Sequence, residues 1–300
     1  MSKLISLNEA ISKYVSDGDT VYAAGFTHLI PFAAGHEIIR QKRRNLTLAR
    51  ATPDLIYDQM VAAGCARKVI FSYMGNPGVG SLRIVRAALE RGELEWEEYS
   101  HFAMITRLQA GASGLPFLPM NQTAAADLER VNPLIQRIAD PFGGKDVIVV
   151  KALIPDVAIV HVQRADAQGN AHLWGIIGEQ KEAAFAARKV ILTAEEIVDE
   201  SVIRSDPNRT MIPGIIVDAV CHVPYACHPS YAQGYYDRDN KFYLEWDRIS
   251  ESADAVKGWL DEWVYAIKDR LEYWEKLGEE TRQRLQVRPQ MSEPINYGKY

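Results

Sequence analysis

Lys68-Val69-Ile70-Phe71-Ser72-Tyr73 runs into Met74-Gly75-Asn76-Pro77-Gly78-Val79-Gly80-Ser81, and the amphipathic stretch Leu82 to Arg91 follows. A short β-branched and aromatic run, a glycine-rich turn and apolar residues at helical spacing read as buried strand, functional loop and helix. The same unit recurs on either side. Upstream, Leu4 to Val15 is predicted helical, Asp17-Gly18-Asp19 stops it, and Thr20 to Ala24 is a strand ending at Gly25. Ala33 to Gln41 and Ala51 to Ala63 are read as helices around a strand at Leu46 to Ala49. Downstream, Asp146 to Val150, Val157 to Val162, Val190 to Thr193 and Ile215 to Val220 continue the apolar runs. Strands alternating with helices predict an α/β fold, an open, mainly parallel sheet with helices on both faces.

Ser252 to Leu277 changes character, with helical stretches carrying Trp259, Trp263, Tyr265 and Trp274 before a Pro-containing, irregular tail from Gln286. The expected organisation is an α/β domain over 1–250 and a helical C-terminal extension with its tail over 251–300. No internal repeat or low-complexity segment interrupts it.

Three hundred residues, 47% of them hydrophobic and 24% charged, are enough to bury a sizeable core and exclude a disordered chain. A net charge of −5 and a pI near 5.9 argue against nucleic acid or an anionic membrane as the main partner. The densest basic run, Gln41-Lys42-Arg43-Arg44, falls at a predicted helix C-terminus, where it complements the helix dipole. Three cysteines, Cys65, Cys221 and Cys227, make no disulfide framework and suit a reducing compartment. With no leader pattern at Met1-Ser2-Lys3-Leu4 and no membrane-length apolar run, the expectation is a soluble cytoplasmic protein.

Two strand-to-loop junctions could carry chemistry: Ala23-Ala24-Gly25-Phe26-Thr27 and Gly75-Asn76-Pro77-Gly78-Val79-Gly80-Ser81. Ligands of open α/β sheets bind beyond the carboxyl ends of strands, and glycines let backbone N–H groups come close. A helix starting near Ser81 would aim its positive end at an anion. Read blandly, the same glycines only make tight turns. Neither loop is a Walker sequence or a G-x-G-x-x-G fingerprint, so nucleotide phosphotransfer is rejected. Arg107 to Pro119 is a third unusual stretch, small residues before Pro116-Phe117-Leu118-Pro119, that suits a close-packed turn beside a site or an ordinary loop.

Cys221, His222, Cys227 and His228 lack the paired spacing of a tetrahedral zinc site, so no metal is assigned. His161 and His172 flank a turn at Asp166-Ala167-Gln168-Gly169-Asn170 and read as structural. His101 is better placed, and its ordinary pKa allows proton transfer near neutrality. No Gly-x-Ser-x-Gly elbow and no paired carboxylates stand out.

At these segments the sequence resembles the A subunits of glutaconate CoA-transferase and its relatives in family I CoA-transferases. The residues that carry the resemblance are Gly25-Phe26-Thr27, Asn76-x-Gly78-Val79, Glu98-Tyr99-Ser100 and Gly114 to Pro119. Asp166-x-x-Gly169, Trp174-Gly175, Ile212-Pro213-Gly214 and Pro224-Tyr225-x-x-His228-Pro229-Ser230 continue it in order. The resemblance implies an open α/β sheet in each of two similar subunits, with the active site at their interface. It implies covalent transfer: a glutamate attacks the acyl-CoA, forms an anhydride, then carries CoA as a thioester to the acceptor acid. That glutamate belongs to the B subunit. Glu90-Arg91-Gly92 sits at a helix end and reads as a C-cap, so the nucleophile is expected from a partner chain.

On this resemblance Gly25, Phe26, Thr27, Gly75, Asn76, Gly78, Val79, Ser81 and Gln109 line the acyl or CoA pocket. Backbone donors of this kind contribute roughly 3 to 4 kcal/mol each to an oxyanion. The resemblance leads to a glutamine at the position of His101, and Thr27-His28-Leu29-Ile30-Pro31 lacks the glutaconate enzyme's charges, which points to a less polar acceptor. His101 is accordingly the catalytic candidate. The expected function is that of the A-type subunit in a heteromeric CoA-transferase for small or medium, dicarboxylic acids, with a B subunit in an αβ heterodimer or (αβ)2 heterotetramer. The acyl-CoA thioester is substrate and no bound cofactor is implied. The alternative is a CoA-thioester hydrolase or decarboxylase on the same scaffold, with His101 as acid or base. A non-catalytic ligand sensor is a third reading and requires a chain that binds ligand alone.

Overall fold

The computed structural model describes residues 2–76, 78–121 and 127–287. Its strands are β1 Thr20–Ala23, β2 Leu46–Ala49, β3 Ala66–Phe71, β4 Glu95–Glu98, β5 Phe117–Met120 and β6 Ile135–Ile138. They continue as β7 Val147–Lys151, β8 Val157–Ala165, β9 Ala171–His172, β10 Lys189–Ile197, β11 Thr210–Ile212 and β12 Ala219–His222. The helices are α1 Leu7–Tyr14, α2 Phe32–Arg40, α3 Leu55–Ala62, α4 Arg83–Glu90, α5 His101–Ala112 and α6 Leu128–Val131. After them come α7 Gln180–Ala186, α8 Glu200–Ser205, α9 Asn240–Ile249, α10 Ala253–Leu260, α11 Arg270–Lys276 and α12 Glu279–Arg284.

Parallel pairing runs β12-β10-β8-β1-β2-β3-β4, so the predicted open, mainly parallel sheet is present. The short β9 and β11 extend it antiparallel beside the far end of β8. All four side chains of β2 are buried, as a strand covered on both faces requires. Two apolar clusters lie on the two sides. One joins α1, α2, α3 and α4 to Trp246, Trp259 and Val264. The other joins α5 and α7 to the small antiparallel sheet β5-β7-β6. Residues from α10 and the π-turn Asp261–Tyr265 therefore share one core with α2 and α3.

Several predicted boundaries shift, each for a local reason. The first helix starts at Leu7 rather than Leu4 because Ser6 and Glu9 form a reciprocal capping box. The third starts at Leu55 rather than Ala51, since Asp54 accepts from the Leu55 N–H; this frees Arg50 to Pro53 as a loop. Arg107 to Ala112, read as part of a loop, is the second half of α5. Gly214–Ile216 is a 3₁₀ turn, so the last core strand begins at Ala219 rather than Ile215. The irregular tail expected from Gln286 lies, beyond Val287, outside the described residues.

Candidate active site

The parallel strands all present their carboxyl ends on one side, and several segments meet there. The β1 loop leaves at Ala24, with Gly25 at φ +130° and Thr27 and Leu29 also at positive φ. A Cβ at Gly25 would lie 2.8 Å from both the His28 and Leu29 carbonyl oxygens, so only glycine fits. His28 fixes this loop. Its Nδ1 lies 3.0 Å from the Ile176 carbonyl, and its Nε2 accepts the Gln233 N–H at 3.0 Å. That pattern selects the neutral ring with the proton on Nδ1, and burial lowers the His28 pKa to about 4. The Ser230 hydroxyl donates to the Thr27 carbonyl, a second tie to the segment that carries Gln233.

The β2 end brings Thr52, whose hydroxyl stands 2.8 Å from Nε2 of His101. His101 is the first residue of α5, held there by Ser100, which caps the helix through the Ala103 N–H. The Phe26 ring meets His101 edge-on with centroids 6.2 Å apart. Partial burial lowers the His101 pKa below its ordinary value, so the neutral ring dominates near pH 7. Gly178, in the loop after β9, packs so closely on Phe26 that a Cβ there would lie 2.5 Å from the phenylalanine's own Cβ. Tyr73, Phe102 and Ile177 are large exposed apolar side chains carried by the same segments.

Beneath the β1 loop, fully buried Arg50 donates from Nη2 to the Gly25 carbonyl at 2.6 Å. Glu179 is buried nearby; burial raises its pKa, and the Arg50 charge opposes that rise.

The predicted site residues divide. Gly25, Phe26 and Thr27 stand with His101 at the strand ends. In the β3 loop, Gly75 (φ +155°) lies under the Tyr73 ring, and Gly78 is exposed at φ +81°. Asn76 is buried, and its carbonyl closes the turn by accepting the Val79 N–H at 3.0 Å. Val79 is 1% exposed and belongs to the core beside α3 and α4, so its side chain supports the loop from behind. The helix start at Ser81 is already occupied. Asp247 Oδ1 accepts the Ser81 N–H at 3.1 Å and also receives Arg83, while the Ser81 hydroxyl takes a bond from Arg86. The α4 terminus itself, which begins at Arg83, is met by buried Asp58, whose Oδ1 accepts the Val85 N–H at 2.9 Å, so the expected anion site there is filled by the chain's own carboxylate. Gln109 is exposed on α5, about 12 Å along the axis from His101 at 1.5 Å per residue. Thr52, His28 and Arg50 were missed by the sequence reading. Placing the α3 cap at Asp54 would have exposed the first as a loop residue; nothing local signals the other two.

His161, Glu195 and Cys227 bring ligand-type atoms within 4.8 Å of one another. Each has another use: His161 bridges Thr193 and Glu195, and Glu195 also accepts the Tyr236 hydroxyl and the Tyr225 N–H. Burial drives the Cys227 thiol well above its usual pKa, against thiolate ligation. His222 and His228 belong to separate networks, with the Glu195 carbonyl and with Tyr273 and Asp239. Among the described residues, no helix is long and apolar enough to cross a membrane.

Glycine loops, a small polar pair and an aromatic ring thus meet at the strand ends. Residues 4–222 match the family model for coenzyme A transferases. The chain belongs to that family, as an A-type member of a heteromeric enzyme acting on CoA thioesters. It is 50% identical over 282 residues to the A subunit of the 3-oxoadipate CoA-transferase of Pseudomonas knackmussii, covering 93% of this chain and 99% of the relative. The crystal structure of glutaconate coenzyme A-transferase from Acidaminococcus fermentans superposes with a TM-score of 0.87 at 35% identity, covering 96% of each chain. A variant of the decarboxylase AibA/AibB superposes with a TM-score of 0.75 at 29% identity, over 87% of this chain and all of that one. The open α/β fold and the transferase reading of the sequence therefore hold.

Proposed function

We propose that this chain, joined to a B subunit in an αβ heterodimer or (αβ)2 heterotetramer, transfers CoA between an acyl-CoA and a short dicarboxylic acid. The observation that carries the division of labour is the state of the carboxylates touching the strand-end loops. Asp54 caps α3 and receives the Tyr243 hydroxyl, Glu179 is buried beside Arg50, and Asp247 is held by Ser81 and Arg83. A nucleophile must be accessible and unpaired, so the attacking carboxylate comes from the partner. The exposed side chains of Tyr73, Phe102 and Ile177 support a partner covering this end of the sheet.

In the reaction, the partner carboxylate adds to the thioester carbonyl and the CoA thiolate leaves, giving a mixed anhydride. The thiolate then attacks the enzyme's side of the anhydride, releasing the donor acid and leaving an enzyme–CoA thioester. The acceptor carboxylate reverses both steps. This chain supplies N–H donors from the Gly25 and Gly75 loops, with His101 and Thr52 beside the acyl group. The dicarboxylic choice rests on the relatives, named for 3-oxoadipate and glutaconate.

The test is co-expression with the partner, incubation with acyl-CoA and intact-mass measurement of both chains. A CoA-sized adduct on the partner that a dicarboxylate acceptor discharges supports transfer. Release of free CoA with neither adduct nor acceptor would replace this reading by hydrolysis, with His101 as the base.

A further inference from the structure

Arg50 is a charge buried with few partners. Its side chain is fully enclosed, and among the described residues Nε and Nη1 make no hydrogen bond. The nearby carboxylate of Glu179 also has an oxygen, Oε1, without a hydrogen-bond partner. Burying a guanidinium without a close, bonded carboxylate is costly, and an apolar residue at this place would avoid that cost. Among the described residues, Arg50 Nη2 donates to the Gly25 carbonyl, at 2.6 Å.

That bond controls a peptide plane. In a planar trans peptide the C=O of one residue and the N–H of the next point in opposite directions. With the Gly25 carbonyl drawn to the buried guanidinium, the Phe26 N–H points away from Arg50. Gly25 is also the residue at which this peptide turns most cheaply, because glycine accepts both signs of φ and here sits at +130°. Close packing blocks a Cβ at Gly25, yet it leaves the orientation of the following peptide to be fixed by something else. A charge-assisted donor is a strong and directional clamp.

We infer that Arg50 is a positioning residue, which holds the Gly25–Phe26 peptide with its N–H presented to the acyl carbonyl oxygen of the substrate. This rests on the proposed transfer reaction. The Phe26 ring stands 6.2 Å from that of His101, so the residue that carries this N–H packs beside the His101–Thr52 pair.

The experiment uses the complex assembled with its partner. Arg50→Met, the charge-balanced double change Arg50→Met with Glu179→Gln, and Arg50→Lys are compared with wild type. The readouts are the rate of CoA-adduct formation on the partner, and kcat and KM for acyl-CoA. The double change avoids leaving an unpaired buried carboxylate, so it remains informative where Arg50→Met alone fails to fold. The expected result is a fall in adduct formation of roughly 100-fold, the low end of losing one oxyanion donor. KM should stay within about threefold, and Arg50→Lys should recover part of the rate. Wild-type adduct formation in the folded double variant overturns the assignment, as does a loss confined to KM. Should the wild-type complex itself form no adduct, the transfer reaction falls instead, and the same kcat-against-KM split read on CoA release still decides Arg50.

Discussion

The Thr52 hydroxyl lies 2.8 Å from Nε2 of His101, joining the end of β2 to the first residue of α5 across the sheet's open side. The pair holds the imidazole beside Phe26, where burial keeps it neutral near pH 7. His101→Ala should leave the fold intact, since the residue is exposed and its ring bonds to a loop hydroxyl rather than to the core. Turnover of the assembled enzyme should fall about 100-fold, the low end of losing one polar contact to the charge that develops on the acyl oxygen. The acid limb of the wild-type pH–rate profile should lie below pH ~6.5 and be lost in the variant. Unchanged turnover and an unchanged profile would remove His101 from the chemistry.

Gly25→Ala tests the β1 loop. The added methyl would sit 2.8 Å from two backbone oxygens that cannot swing away, on a residue at φ +130°. A complex that still assembles, by size-exclusion chromatography, is expected to lose at least ~100-fold in kcat. Wild-type turnover would exclude the loop from the site.

His28 gives the loop an acid limit. Its pKa falls from 6.5 to about 4 on folding because burial disfavours the charged ring. The unfolded chain therefore binds the proton more readily, so the stabilisation is complete above pH 6.5 and is lost as the pH falls toward 4. The lowering corresponds to roughly 3 kcal/mol. Urea unfolding at about pH 7.5 and about pH 4.5 should show this loss in wild type and a smaller one in His28→Gln. Equal losses in both proteins would show that other groups set the acid limit.

Asp247→Ala addresses Ser81. It removes the carboxylate that accepts the Ser81 N–H and pairs with half-exposed Arg83 just before α4, contacts whose loss costs about 1 kcal/mol. Thermal unfolding should record a lower midpoint, while kcat of the complex stays within about twofold. A large loss of kcat in the folded variant would return the α4 terminus to the site.

The purified chain without its partner should bring about no CoA transfer, because Asp54 is a buried cap, Glu179 is buried and Asp247 is ion-paired with Arg83. Discharge of acyl-CoA to a dicarboxylate by partner-free protein, read by liquid chromatography of the CoA esters, would sink the shared site.

Much of this was legible in the chain. The apolar runs at Thr20, Leu46 and Lys68 are strands because a parallel strand buried on both faces needs continuous apolar residues, a purely local signature. Gly25 and Gly75 could be read as loop residues for a similarly local reason, since the chain can turn sharply only where no Cβ intervenes. Ser81 was misplaced because its partner, Asp247, lies 166 residues away, and no periodicity reports such a contact. Val79 sits in the same glycine-rich loop as Gly78, yet the fold buries one and exposes the other.

The sequence by itself determined the layered α/β architecture and which ends of the strands would carry loops, because burial pattern and turn chemistry act over neighbouring residues. Only the tertiary structure decided what those loops do. Thr52 meets His101 and Arg50 reaches Gly25 because the parallel sheet sets β1 through β4 side by side, and His28 becomes a neutral clip because three loops close around it. Proximity across strands and the loss of water at a buried group are properties of the packed chain, and no stretch of residues carries them alone.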